Sequence, residues 1–308
     1  MLIPSHIPMR ILNLHDSSQA AVPPVTHTSG RARQFTRASI ARVVLLAAAL
    51  QLYGCALVQS PTERVEALAA QAGMQELSTG DKRLRGFLRP GSGTLTVYIE
   101  SDGAPWPAPN QPPYDPTPIK PVVMQMAVAD KTQAVGYLGR PCQYLDAQTL
   151  DDCDPALWTL GRFSESAVAA SANAVEQMKR RSGAARVQLV GYSGGGAMAA
   201  LVAARRSDVA CLVTLASPLD IDGWADAIDV TRLRQSLNPL AYAASLANVP
   251  QTHFAGARDV TVPPASARRY FSAVPKARVV TLDNYSHTCC WADEWAQLLA
   301  RSCLAAQR

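Results

Sequence analysis

Residues 187–200 read VQLVGYSGGGAMAA, and the reading of the whole chain turns on this stretch. An apolar run stops at Gly191-Tyr192-Ser193-Gly194-Gly195-Gly196, and small helix-forming residues follow at once. A short apolar run bounded by glycines suits a buried strand, and the alanine-rich sequel suits a helix packed on it. Two kinds of chemistry use a glycine-rich turn at such a junction. It can raise a nucleophilic hydroxyl on a sharp strand-to-helix turn, or it can bring bare backbone N–H groups against a phosphate. In the first case Gly191 and Gly195 let the turn close, Ser193 carries the hydroxyl, and the Gly194 N–H is left to stabilise an oxyanion. In the second, Gly194 to Ala199 satisfies the dinucleotide pattern G-x-G-x-x-A. That pattern normally opens the first strand–helix–strand unit, with an acidic residue ~20 positions on. Here several strands precede it, and Asp220 and Asp222 come late and behind a proline. A serine N-cap in an ordinary turn is the remaining alternative.

The flanking chain alternates between two periods. Helical spacing is expected over Glu63–Ala72, then strands over Met74–Ser78, Lys82–Leu88 and Thr94–Glu100. Residues 104–121 hold eight prolines, a stiff loop that cannot join a central strand and is expected to wall one side of the site. Beyond it, strands are expected at Ala134–Leu138, Val187–Val190, Cys211–Leu215, Thr252–Phe254 and Val279–Leu282. Helices are expected at Ser164–Arg181, Gly195–Ala204, Val230–Leu246 for the most part, Pro264–Phe271 and Trp291–Leu304. Alternation of this kind predicts an α/β fold, a mostly parallel central sheet with helices on both faces and a small lid or none. In such folds reactive groups gather at the carboxyl ends of the strands.

A serine hydroxyl needs a base to take its proton. Of five histidines, His6, His15 and His27 lie in the N-terminal segment, and His253 falls inside an expected strand, where a structural role suits it. His287, just past the last strand in a polar loop, is the remaining candidate. The imidazole in turn needs an acid. Asp259 follows a strand end, with Asp220 or Asp222 as the fallback.

With GYSGG at Ser193, GARDVTVP at Asp259 and NYSHTCCW at His287, residues 63–304 resemble the α/β-hydrolase superfamily, whose members carry these groups in the order Ser, Asp, His. DPTPIKPVVMQMA, GRPCQYL and LWTLGRFSESAV are similar to segments of bacterial members, some of them exported. The resemblance implies a serine hydrolase that needs no cofactor or metal and acts on an ester-type bond: carboxylic ester, thioester or lipid. A peptidase or amidase of the same fold and a non-catalytic binding protein are the alternatives. One departure stands out. Members commonly place His-Gly after the third strand, where a backbone N–H completes the oxyanion hole, but this chain has Glu100-Ser101-Asp102-Gly103. The N–H of Asp102 or Gly103 can still serve. Both carboxylates must then be paired or turned away, because an inward negative charge opposes the oxyanion.

The N-terminus reads as an export signal. Arg31, Arg33, Arg37 and Arg42 precede VVLLAAALQLYGC, whose apolar part is too short to span a bilayer. Leu52-Tyr53-Gly54-Cys55 resembles a lipobox, which implies cleavage after residue 54, a lipid on Cys55 and a linker over 55–62 before a hydrolase domain at 63–308. An ordinary cleaved signal or a buried helix are the alternatives. Residues 1–54 hold five arginines against Asp16, while the remainder has 24 basic and 23 acidic residues, so no electrostatic footprint for nucleic acid remains. Past Cys55 six cysteines are left, an even set that fits an oxidising compartment. Cys142 and Cys153 flank a short polar loop and are the favoured pair; one of Cys289 and Cys290 is a candidate to reach Cys303. No C-x-x-C spacing supports zinc.

Overall fold

The computed structural model describes residues 59–104, 106 and 111–305; the N-terminal basic and apolar segment, with Cys55, lies outside them. Among the described residues, β1 (Gln75–Ser78), β2 (Arg85–Arg89), β3 (Thr94–Ile99), β4 (Val135–Leu138), β5 (Arg186–Tyr192), β6 (Val209–Leu215), β7 (Gln251–Gly256) and β8 (Arg278–Leu282) form one sheet. Their spatial order is β1-β2-β4-β3-β5-β6-β7-β8. β2 is antiparallel to both of its neighbours, and every other pairing is parallel.

Helices cover both faces, as the continuous apolar runs of the central strands require. They are α1 (Pro61–Gln71), α2 (Val122–Ala129), α3 (Ala147–Asp151), α4 (Glu165–Ser182), α5 (Gly194–Ala203), α6 (Ile221–Ala227), α7 (Arg268–Ala273) and α8 (Trp295–Ala300). Val175 and Met178 of α4 and Leu201 of α5 share a core with Val97, Leu189 and Leu212. Val65, Met126 and Leu298, from α1, α2 and α8, share a second core with Tyr98, Val190 and Val213. Neighbours such as Leu189 and Val190 therefore point to opposite faces, the period-two alternation of a strand. Between β3 and β5, the Thr96 hydroxyl donates to the Gln188 side-chain carbonyl at 2.9 Å, so this buried polar pair is satisfied internally.

Local signals explain the elements that match their expected positions. Ser60 and Glu63 form a capping box at the start of α1 with Pro61 in its first turn. Ser164 caps α4, Lys179, Arg180 and Arg181 fill its last turn, and Gly183 closes it at φ 69°. Elsewhere the structure departs from expectation. VVMQMAVA, not anticipated as a helix, is α2; it is apolar all round and so shows no amphipathic period. Val230–Leu246 is helical only as a 3-10 turn from Pro239 to Leu246, started by the Asn238 cap. The closing helix is confined to Trp295–Ala300. α6, also unanticipated, is a short helix capped by Asp220.

Three disulfides join Cys142 to Cys153, Cys211 to Cys303 and Cys289 to Cys290. The first is the favoured pair. The expected link from Cys289 or Cys290 to Cys303 does not form, because the turn after α8 brings Cys303 back to the sheet. There its N–H donates to the Thr252 hydroxyl at 3.1 Å, within reach of Cys211 on β6.

From β3 the chain crosses to β4 on one side, while β5 lies on the other, with Ile99 opposite Gly191. The carboxyl ends of β3 and β5 therefore meet at a topological switch point, where open α/β sheets bind ligands.

Candidate active site

Ser193 sits between β5 and α5 with φ 54° and ψ −128°, a left-handed backbone that a non-glycine residue adopts at a cost of about 1–3 kcal/mol. Its N–H donates to the Leu215 carbonyl at 2.8 Å, which ties the turn to β6. A Cβ on Gly191 would collide with the Gly195 carbonyl, and one on Gly195 with the Ile99 carbonyl. The turn can close this tightly only with glycine at both places.

The structure brings Ser193, His287 and Asp259 together. His287 Nε2 lies 3.0 Å from Ser193 Oγ, and its Nδ1 lies 2.8 Å from Asp259 Oδ2. Asp259 is buried, and its Oδ1 accepts the N–H groups of Thr261 at 2.9 Å and Val262 at 2.7 Å. An ionised carboxylate only accepts, so Nδ1 carries the proton and Nε2 is left to accept from the serine. The loop holding the imidazole is fixed through the His287 carbonyl, which accepts from the Tyr192 hydroxyl at 2.6 Å and the Trp291 indole at 2.8 Å. Burial raises the Tyr192 pKa, so its hydroxyl stays a donor.

The fallback acids do not reach the imidazole. Asp220 caps α6 through the Gly223 N–H and pairs with Arg269 at 2.6 and 2.8 Å, and Asp222 lies by Asn238. His253 is buried on β7 between the Thr214 hydroxyl and the Gln251 side chain. Burial pushes its pKa down to about 3, which keeps it neutral.

On the opposite side of Ser193, the backbone N–H groups of Gly194, Asp102 and Gly103 donate to no acceptor among the described residues. The two acidic residues there are both partnered. Glu100 is fully buried; its Oε1 accepts the Ser101 N–H at 2.7 Å, and its Oε2 accepts the Tyr137 and Tyr144 hydroxyls at 2.9 and 3.3 Å. Burial raises its pKa against the pull of these hydrogen bonds. The Asp102 carboxylate lies so close to Gly194 that any Cβ there would strike it. Its Oδ1 takes Arg140 at 2.9 Å and its Oδ2 takes Arg162 at 3.0 Å. Burial acts to raise the Asp102 pKa, but the two guanidinium charges prevail and hold it below the usual carboxylate range.

Arg140, Arg162, Tyr192 and Trp291 had no place in the sequence argument. Arg140 and Arg162 each interrupt an apolar or cysteine-bearing stretch, a sign that a buried charge has a partner elsewhere. Among the described residues no cluster of three or more His, Cys, Asp or Glu is arranged to hold a metal ion.

No family model matches the sequence, and no curated protein matches it. Solved structures do resemble it in shape. An acylaminoacyl peptidase from Pyrococcus horikoshii superposes with a TM-score of 0.54 at 12% identity over 74% of this chain. This chain spans only 41% of that peptidase's length. Est1E from Butyrivibrio proteoclasticus gives 0.53 at 12% identity, covering 74% of this chain and 96% of its own. A bacterial membrane phospholipase A gives 0.51 at 16% identity, covering 86% of this chain and 98% of its own. Sheet order, the strained serine turn and these superpositions agree: the chain has the α/β-hydrolase fold.

Proposed function

We propose that the protein is a serine hydrolase that cleaves an ester-type bond through an acyl-enzyme. The observation that carries this is the unbroken relay from Ser193 Oγ to His287 to Asp259, at 3.0 and 2.8 Å, on a strained turn. Ser193 Oγ attacks the carbonyl carbon while His287 Nε2 takes its proton, and Asp259 stabilises the imidazolium that results. The carbonyl oxygen, now negative, is received by the Gly194 N–H and by that of Asp102 or Gly103. Collapse of the tetrahedral species breaks the bond to the alcohol, which leaves with the proton from His287. Water, deprotonated by the same imidazole, then attacks the acyl carbon and frees Ser193. An esterase and a phospholipase A among the structural relatives are compatible with this reading.

Covalent labelling by a fluorophosphonate probe, lost in Ser193→Ala, is the expected result; folded protein that takes no label favours a non-catalytic binding role. Rates on p-nitrophenyl esters of graded length, set beside aminoacyl amides, decide the bond, and faster amide cleavage overturns the ester assignment. The chain is further proposed to be exported and anchored by lipid at Cys55, a reading that three disulfides suit. A Cys55→Ser variant that still partitions to membranes defeats it.

A further inference from the structure

Resting on that hydrolase reading, we infer that Arg162 selects the substrate: the preferred ester has an apolar body and carries a carboxylate that Arg162 binds. Arg162 lines a cleft of about 740 Å³ together with Leu160, Trp224, Asp229, Val230 and Leu233. Leu160 and Val230 are among the large apolar side chains left exposed among the described residues. Exposed apolar groups gathered around a cleft mark a place where something apolar binds.

Two chains of contact tie this cleft to Ser193. On one wall Arg162 donates to Asp102, whose carboxylate lies against Gly194, the residue after the nucleophile. On the other wall the Trp224 indole donates to the Thr261 carbonyl at 2.8 Å, and the Thr261 N–H donates to Asp259. None of the reacting groups lines the cleft itself, but one intermediate contact on each wall links it to the residue after Ser193 and to the loop of Asp259.

The charges on the first wall do not balance. Two guanidiniums share the one carboxylate of Asp102. Arg140 is almost wholly covered, with its guanidinium over the Phe163 ring, so it is closed to a ligand. Arg162 is the more accessible of the two. Its Nε donates to the Thr159 carbonyl and its Nη1 to Asp102, while its Nη2 has no acceptor among the described residues. Asp229, on the same cleft, forms no ion pair with it within 4.0 Å. A substrate carboxylate completes this arrangement: it meets a guanidinium already held rigid by two bonds, and it neutralises the surplus charge.

The test compares three esters of one chain length: p-nitrophenyl hexanoate, mono-p-nitrophenyl adipate with its free carboxylate, and the methyl ester of the latter as neutral isostere. The inference expects kcat/KM to favour the free acid over its methyl ester by about tenfold or more. In Arg162→Gln that ratio falls to about one or below, and Arg162→Lys restores part of it. The ratio is the readout because loss of Arg162 also disturbs Asp102 and lowers all rates together. Wild-type protein that cleaves both neutral esters without preferring the acid overturns the inference and leaves the hydrolase reading standing, whether or not the variants fold. A ratio unchanged in folded Arg162→Gln overturns it as well. Failure to cleave any of the three, with no labelling of Ser193, removes both.

Discussion

On one side of Ser193, an imidazole and a single carboxylate are held by backbone donors and by two hydrogen bonds to the His287 carbonyl. On the other, two arginines and a carboxylate crowd against Gly194. In the proposed reaction the first side moves a proton, so its groups must be able to change charge. In the same proposal the second faces a developing negative oxygen, so its charge must stay fixed and must not be negative on balance. Asp102 meets that condition only because Arg140 and Arg162 both hold it.

The largest expected effect breaks the first side. Ser193→Ala and His287→Ala should each lower kcat/KM on p-nitrophenyl esters by roughly a thousandfold or more, and the double variant should be scarcely worse than either, since the pair acts as a unit. Additive losses in steady-state rates would show that the two side chains act separately. Next, Asp259→Asn should cost on the order of a hundredfold or more at unchanged stability, because the amide leaves the imidazole in the wrong tautomer. Full activity in that variant would assign the acid elsewhere.

The second side should answer mainly in stability. Asp102→Ala leaves Arg140 buried without its partner, and urea unfolding should show a loss of about 2–3 kcal/mol, tempered by the partial exposure of Asp102. An unchanged midpoint would mean the cluster is better solvated than its burial implies. A separate, pH-dependent effect concerns His253. His253 has a folded pKa of about 3, far below its unfolded value. Between those two values the unfolded chain binds a proton that the folded one does not, so stability falls as pH drops below about 6.5, by up to about 1.4 kcal/mol per pH unit. Thermal melts of His253→Gln should show a shallower decline over that window, and an equal slope would remove His253 as the cause.

The two sides also differ in how far the sequence disclosed them. Ser193, Asp259 and His287 each follow a strand end, and apolar runs bounded by turn residues locate those ends without knowledge of contacts. Helical spacing placed α1 and α4, and the structure closes them with the Ser60–Glu63 box and the Gly183 cap. Asp102 was legible as a liability, since a carboxylate beside an oxyanion hole demands a partner. Its partners were not, because Arg140 and Arg162 come from loops 38 and 60 residues away that carry no periodic signal. α2 escaped because an almost wholly apolar sequence shows no amphipathic face, and Val230–Leu246 misled because apolar spacing there serves an irregular segment.

The Cys142–Cys153 bridge falls inside the span that leads from Arg140 to Arg162. Closing a loop with an 11-residue separation withdraws about 3 kcal/mol of chain entropy from the unfolded ensemble. This covalent strap shortens the slack between the two cations on either side of Asp102. Thiol reductants would lengthen the tether and leave the electrostatic half of the site dependent on packing alone, so, if Arg162 selects substrate as inferred, reduction should weaken that preference while leaving the Ser193–His287–Asp259 contacts intact.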